Sequence, residues 1–175
     1  LYGGGFRLED REGLIREVRA LRTRASPEAL FRSFASLGGE RGWLVWNWAW
    51  ALRGFLDRLL GGPGLRRGRR HPTELLPGEA VDFWRVEAVE PPRLLRLRAE
   101  MRLPGRAWLE WEAREAEGGS LLVQTAYFEP KGLTGFLYWW ALYPIHRRIF
   151  SDLARAIVRE AEAQAEAPPR GGGAG

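Results

Sequence analysis

The block Gly61-Gly62-Pro63-Gly64-Leu65-Arg66-Arg67-Gly68-Arg69-Arg70 places four guanidinium groups within five positions. A guanidinium fork matches the oxygens of a phosphate or carboxylate, and glycines permit backbone shapes that other residues resist. Arg66, Arg67, Arg69 and Arg70 are therefore an anion-binding candidate. The same residues would serve equally as a solvated turn, or as an ion-paired patch for Asp57, Glu74 and Asp82. Nucleic acid is not expected as a partner, because that would call for a longer basic surface with exposed stacking rings.

A second set of residues is apolar with a few polar atoms. Trp84, Trp111, Trp139, Tyr143 and Phe150 come from strand faces and from one long helix. They would line a small-molecule pocket if they converge, or fill a core. His146 lies on the same stripe as Tyr143 and Phe150. In a cavity it could act as a general base or bond a ligand carbonyl; in a packed core it would bond a neighbour. Gln124 sits among Leu122, Ala126 and Phe128, and a buried amide needs partners from a ligand, from Tyr143 or from water.

Other chemistries find little support. Asp82, Glu100, Glu110 and Glu112 alternate with apolar residues and are expected to face solvent, paired with arginines across a sheet. Ser26, Ser36, Ser120 and Ser151 lack a nucleophile-elbow setting. With no cysteine and only His71 and His146, no metal site and no disulfide are expected, and no cofactor is called for.

These candidates need elements to hold them. Leu14–Arg24 alternates in part and reads as a first strand. Ser26-Pro27-Glu28 is a helix start, with a hydroxyl cap, proline at the first position and an early acid. That helix carries Leu30, Phe31 and Phe34 and stops at Gly38-Gly39. A second helix is expected over about Trp46–Leu60, with Trp48, Leu52, Phe55, Leu56 and Leu59 as its apolar stripe. Four hairpin-linked strands follow, around residues 82–88, 95–103, 107–113 and 122–128, each with one apolar face. A long helix from about Leu133 to Ala165 closes the chain, with Pro144 expected to kink or break its first third. Residues 1–12 read as a loose lead-in, 13–165 as one domain and 166–175 as a disordered tail.

Composition sets wider bounds. The 175 residues suit one domain. Nine tryptophans in so short a chain must either pack a core or line a cavity. All 27 basic residues are arginine except Lys131, and the formal charge is +5. Much of that charge alternates with acids, as in Arg96, Arg98, Glu100 and Arg102, which is the pattern of a solvated sheet face. No run approaches the roughly 20 apolar residues of a membrane helix, no signal-peptide pattern is present, and a cytoplasmic setting is expected. The first residue is not methionine, which is the pattern of a fragment or excised domain.

The order strand, two helices, antiparallel meander and long last helix is that of an α+β helix-grip fold, in which a bent sheet wraps the last helix. Longer motifs narrow this. They are Gly38-Gly39 with Gly42-Trp43, Leu52-Arg53-Gly54 with Leu56-Asp57-Arg58-Leu59, the Gly61–Arg70 block, Asp82-Phe83-Trp84-Arg85-Val86, the run Ala99–Glu110, and Tyr138-Trp139-Trp140-Ala141-Leu142-Tyr143-Pro144-Ile145-His146. From about Gly3 to Ala161 the chain resembles the bacterial domain-of-unknown-function family 2867, of the START-like polyketide cyclase (SRPBCC) superfamily. That resemblance implies a helix-grip (Bet v-like) fold with an internal cavity. It also implies an NAD(P)-binding Rossmann partner domain of the atypical short-chain dehydrogenase type, on the same or a neighbouring chain. The chain itself carries no dinucleotide fingerprint, since Gly61–Gly68 follows a helix rather than a strand. The expected function is binding of a hydrophobic or aromatic small molecule. The alternatives are a cyclase, dehydratase or hydrolase with His146 as base and Gln124 or Tyr143 polarising the substrate, and a purely structural interaction domain.

Overall fold

The computed structural model describes residues 5–11, 13–62, 71–72, 74–100 and 102–166. Arg66, Arg67, Arg69 and Arg70 lie outside the described residues, as do residues 167–175 of the expected tail.

Seven antiparallel strands form one sheet: β1 (Gly5–Arg11), β2 (Leu14–Thr23), β3 (Ala80–Val81), β4 (Trp84–Glu90), β5 (Leu94–Ala99), β6 (Gly105–Ala116) and β7 (Gly119–Pro130). Their order across the sheet is β1-β2-β7-β6-β5-β4-β3. The α-helices among the described residues are α1 (Pro27–Ala35), α2 (Asn47–Leu59) and α3 (Gly132–Glu166), with a short 3-10 turn at Gly39–Arg41. This is the α+β helix-grip arrangement: a curved sheet whose concave face holds the last helix.

Hydrophobic alternation decides which face is concave. Leu109, Trp111 and Ala113 of β6 and Leu122, Gln124, Ala126 and Phe128 of β7 are all buried. The intervening residues make ion pairs on the convex face. Arg96 donates to Glu110 from the adjacent register position at 2.6 Å, Arg85 pairs with Glu100, and Glu112 meets Arg93 and Arg114. All three carboxylates are paired as the alternation predicts, but Glu110 is buried rather than facing solvent.

Asp82 departs from the alternation. It is buried, and its carboxylate accepts from the Trp43 indole N–H at 2.8 Å and from the Gly39 backbone N–H at 3.2 Å. Asp82 precedes β4 in a left-handed turn (φ 54°), so strand alternation does not govern its direction. Gly38, also left-handed (φ 80°), packs so closely that a Cβ there would lie 2.5 Å from Val81 Cγ1. The chain between α1 and α2 is thereby pinned to the β3–β4 turn.

α1 begins as predicted: Ser26 Oγ accepts from the Ala29 N–H, with Pro27 at the first position. Its inner face seats Phe34 against Trp111, with ring centres 6.2 Å apart, and Ser33 donates to the Ile157 carbonyl of α3. Three further expectations are corrected. Residues 5–11 of the supposed lead-in pair with β2 over the full register from Gly5↔Ala20 to Arg11↔Leu14. Of the kink or break expected at Pro144, the break is absent: α3 runs from Gly132 to Glu166. The strand expected to reach Leu103 ends at Ala99, because the Arg102 backbone N–H is drawn to Asp57 Oδ1 at 2.7 Å instead of a ladder partner.

Candidate functional site

α2 departs most from its sequence pattern. The stripe Trp48, Leu52, Phe55, Leu56 and Leu59 was expected to face the core, yet each of these residues is at least half exposed. The buried residues are Trp50, Gly54 and Asp57, on the opposite edge of the helix. Periodicity points to the apolar stripe as the inward side, since the opposite side carries Arg53, Gly54, Asp57 and Arg58. The tertiary anchors override it: Trp50 joins the Trp43, Phe83 and Trp84 ring cluster, and Asp57 holds the Arg102 backbone. At the start of α2 the Trp46 indole donates to Asp152 of α3 at 2.8 Å.

The outward turn of α2 leaves a groove of about 410 Å³ between α2, the Arg102–Leu103 segment and α3. Its walls are mainly apolar, from Trp48, Leu52, Leu56, Leu142 and Ile145, and its charged groups are Arg53, Arg102 and Asp57. Beneath it a smaller cavity of about 50 Å³ reaches the concave sheet face at Ala126 and Phe128. The two spaces share Trp50, Arg53, Leu103, Tyr138 and His146. The inner space holds little more than a water molecule or two, whereas the groove falls in the range of small-molecule pockets, roughly 300–1,000 Å³.

His146 stands in the wall common to both. Its ring lies between those of Trp139 and Phe150, at 6.0 and 5.6 Å. Nδ1 is buried without a hydrogen-bond partner. Burial first, then the neighbouring Arg53 charge, push its pKa from 6.5 down to about 4, so the imidazole is neutral at pH 7. Arg53 donates to the Tyr138 hydroxyl and stacks over that ring. The indole N–H groups of Trp50, Trp84 and Trp139 are likewise buried and unpartnered, and all three residues line the inner cavity. Four of the five unpartnered buried side-chain polar atoms among the described residues thus belong to this one wall. Buried polar groups are normally paired, so the concentration marks a place where donors and acceptors are left available.

Of the residues singled out from sequence, Trp84, Trp139, His146 and Phe150 line the inner cavity. Trp111 and Gln124 do not. The Trp111 indole donates to Gln124 Oε1 at 2.9 Å, and Gln124 Nε2 donates to the Phe150 carbonyl at 2.9 Å, so both ends of the amide are paired within the core. Tyr143 also lies outside both linings. It neighbours Glu17, and burial together with that carboxylate raises its phenol pKa. Glu17 was not anticipated. It is buried on β2, its pKa is raised by desolvation against the opposing Arg19 contact, and its Oε2 lacks a partner. Period-two alternation could have flagged it, since it shares the inward side of β2 with Ile15. Trp50, Arg53, Leu103 and Tyr138 were not singled out, although Arg53, Leu103 and Tyr138 lie in the motifs Leu52-Arg53-Gly54, Ala99–Glu110 and Tyr138–His146. Among the described residues no cluster of metal-ligating side chains is present, and no helix is long and apolar enough to cross a membrane.

Solved structures share the fold at low identity. The chain matches the di-domain ARO/CYC StfQ from the steffimycin biosynthetic pathway with a TM-score of 0.53 and 12% identity, covering 88% of this chain and 52% of that one. It matches Ara h 8.0201 at 0.52 and 12%, covering 86% and 99%. A protein from Rhodobacter sphaeroides gives 0.51 and 15%, covering 91% and 99%. A search of curated proteins by sequence found no match. The model of the family described as protein of unknown function (DUF2867) matches residues 11–153, and the chain belongs to that family.

Proposed function

We propose that the domain binds a hydrophobic or aromatic small molecule in the groove between α2 and α3. One observation carries this reading: an apolar groove of about 410 Å³ opens over a wall where His146 Nδ1 and three indole N–H groups are buried without partners. A ligand seated there would cover exposed Trp48, Leu52 and Leu56. At about 25 cal/mol per Å² of apolar surface removed from water, this supplies the main attraction. Its polar atoms would meet the wall. The helix-grip likeness to the di-domain ARO/CYC StfQ supports the fold in which such a groove forms. Service to an NAD(P)-binding Rossmann partner, on the same or a neighbouring chain, belongs to the same proposal and rests on the family resemblance.

The test uses N-phenyl-1-naphthylamine, a neutral apolar fluorophore. Saturable one-to-one binding that quenches tryptophan emission is expected, because Trp48 and Trp50 line the groove. Leu56→Glu and Ile145→Glu, both at exposed positions, should weaken binding about tenfold or more with little change in melting temperature. Absence of saturable binding would sink the proposal.

A second reading, an enzyme of the cyclase, dehydratase or hydrolase kind, is favoured by the neutral, unpartnered state of His146. An imidazole free at neutral pH can take a proton from a bound substrate. On that reading His146→Ala abolishes turnover while fluorophore binding persists.

A further inference from the structure

We infer that the groove selects an amphiphilic monoanion: an apolar chain or ring system ending in one carboxylate. This rests on the binding function proposed above and specifies the ligand class for the same site. Arg53 and Arg102 both line the groove, and among the described residues neither forms an ion pair. Several arginines on the sheet are matched, as in Arg96 with Glu110, Arg106 with Glu129 and Arg114 with Glu112, whereas Arg22 and Arg98 form no ion pair among the described residues. The one carboxylate in the groove wall, Asp57, is buried and already accepts from the Arg102 backbone N–H. Among the described residues that line the groove, two guanidinium groups thus stand with one carboxylate beside an apolar surface.

Arg53 is half-buried and Arg102 exposed, so a counter-charge there adds attraction beside the apolar walls without being required for burial. A carboxylate headgroup supplies that charge and matches the guanidinium fork. Arg53 is the principal contact, because it lines both the groove and the inner cavity and its charge is felt at His146. The neutral His146 adds no charge and can donate or accept a hydrogen bond. The body of the ligand would lie along Trp48, Leu52, Leu56 and Ile145. A cationic amphiphile of the same length would be repelled.

Three probes with the same twelve-carbon tail separate the terms: dodecanoate, 1-dodecanol and dodecyltrimethylammonium, titrated by tryptophan fluorescence and calorimetry at neutral pH. Dodecanoate is expected to bind about tenfold more tightly than dodecanol, the worth of one charge-assisted contact, and the ammonium more weakly than either. Raising the ionic strength should erode the dodecanoate advantage and leave dodecanol unchanged. Arg53→Gln should bring the acid and the alcohol to nearly equal affinity. Arg102→Gln keeps the backbone N–H that Asp57 accepts and therefore the local fold, and it should reduce the preference in part. Equal affinity of acid and alcohol for the unaltered protein overturns the anion assignment while leaving the apolar binding function standing. A preference that survives in both variants also overturns it. If none of the three probes binds, the binding function itself fails.

Discussion

The Trp43–Asp82 cluster and the His146 wall are built from similar parts and differ in one respect. Each surrounds a polar group with large rings. Around Asp82, Trp43 stacks on Phe83 at 6.3 Å and packs against Trp50 at 5.4 Å, and the carboxylate receives both an indole and a backbone N–H. Around His146, Trp139 and Phe150 pack at similar distances, yet Nδ1 and the Trp139 indole N–H have no partner. Stacked rings alone therefore do not distinguish a core from a site. Satisfaction of the enclosed group does: Asp82 is paired and His146 Nδ1 is not, although the Trp50 and Trp84 rings beside Trp43 also carry unpartnered indole N–H groups. A paired buried group stabilises the fold while an unpaired one costs stability until something binds it.

The largest effect should come from breaking the satisfied cluster. Asp82→Ala removes a buried acceptor from two donors and puts alanine in a left-handed turn, and it should cost about 3–4 kcal/mol. For a chain of this size that lowers the melting temperature by roughly 10 °C in a thermal scan. A loss under about 1 kcal/mol would show that the cluster is held by ring packing alone.

Next is the pH dependence of the unsatisfied wall. His146 is held neutral in the fold, with its pKa lowered from 6.5 to about 4, so the unfolded chain binds a proton that the folded chain refuses. Stability from this group is fully present above pH 6.5 and is lost as the pH falls from 6.5 toward 4. Its size is on the order of 3 kcal/mol. Urea melts across that window should show the loss in the unaltered protein and a flatter profile in His146→Leu. Identical profiles would mean that the imidazole is solvated.

The finest comparison sets two tryptophans side by side. Trp43→Phe leaves Asp82 one donor short, whereas Trp139→Phe removes an N–H that bonds nothing. Chemical melts should show the first costing about 1–2 kcal/mol more than the second. Equal costs would remove the distinction between the two regions.

Much of the architecture could be read in advance for local reasons. Ser26-Pro27-Glu28 marks a helix start because its cap bonds are local. The alternation in β6 and β7 marks the concave face because side chains on a strand change sides at every residue. The convex ion pairs of Glu100, Glu110 and Glu112 follow from the same alternation. The candidate site was less legible. Trp139, His146 and Phe150 were visible as one stripe of α3, and Trp84 as the inward side of β4. Trp50 and Arg53 were not, because local pattern puts the apolar stripe of α2 inward and long-range contacts turn it outward, and Tyr138 was visible only within the Tyr138–His146 motif.

Residue spacing along the chain sufficed for the helix-grip order and for the inward and outward faces of its sheet, since capping, turn chemistry and strand period act over a few residues. Long-range contacts settled the rest. The turn at Asp82, the Trp50 seat among rings and the bond from Arg102 to Asp57 join segments distant in sequence. Those joins rotate the α2 stripe outward, open the groove and leave His146 without a partner. Which buried group finds a partner depends on the three-dimensional arrangement of all its neighbours, and no local pattern carries that information.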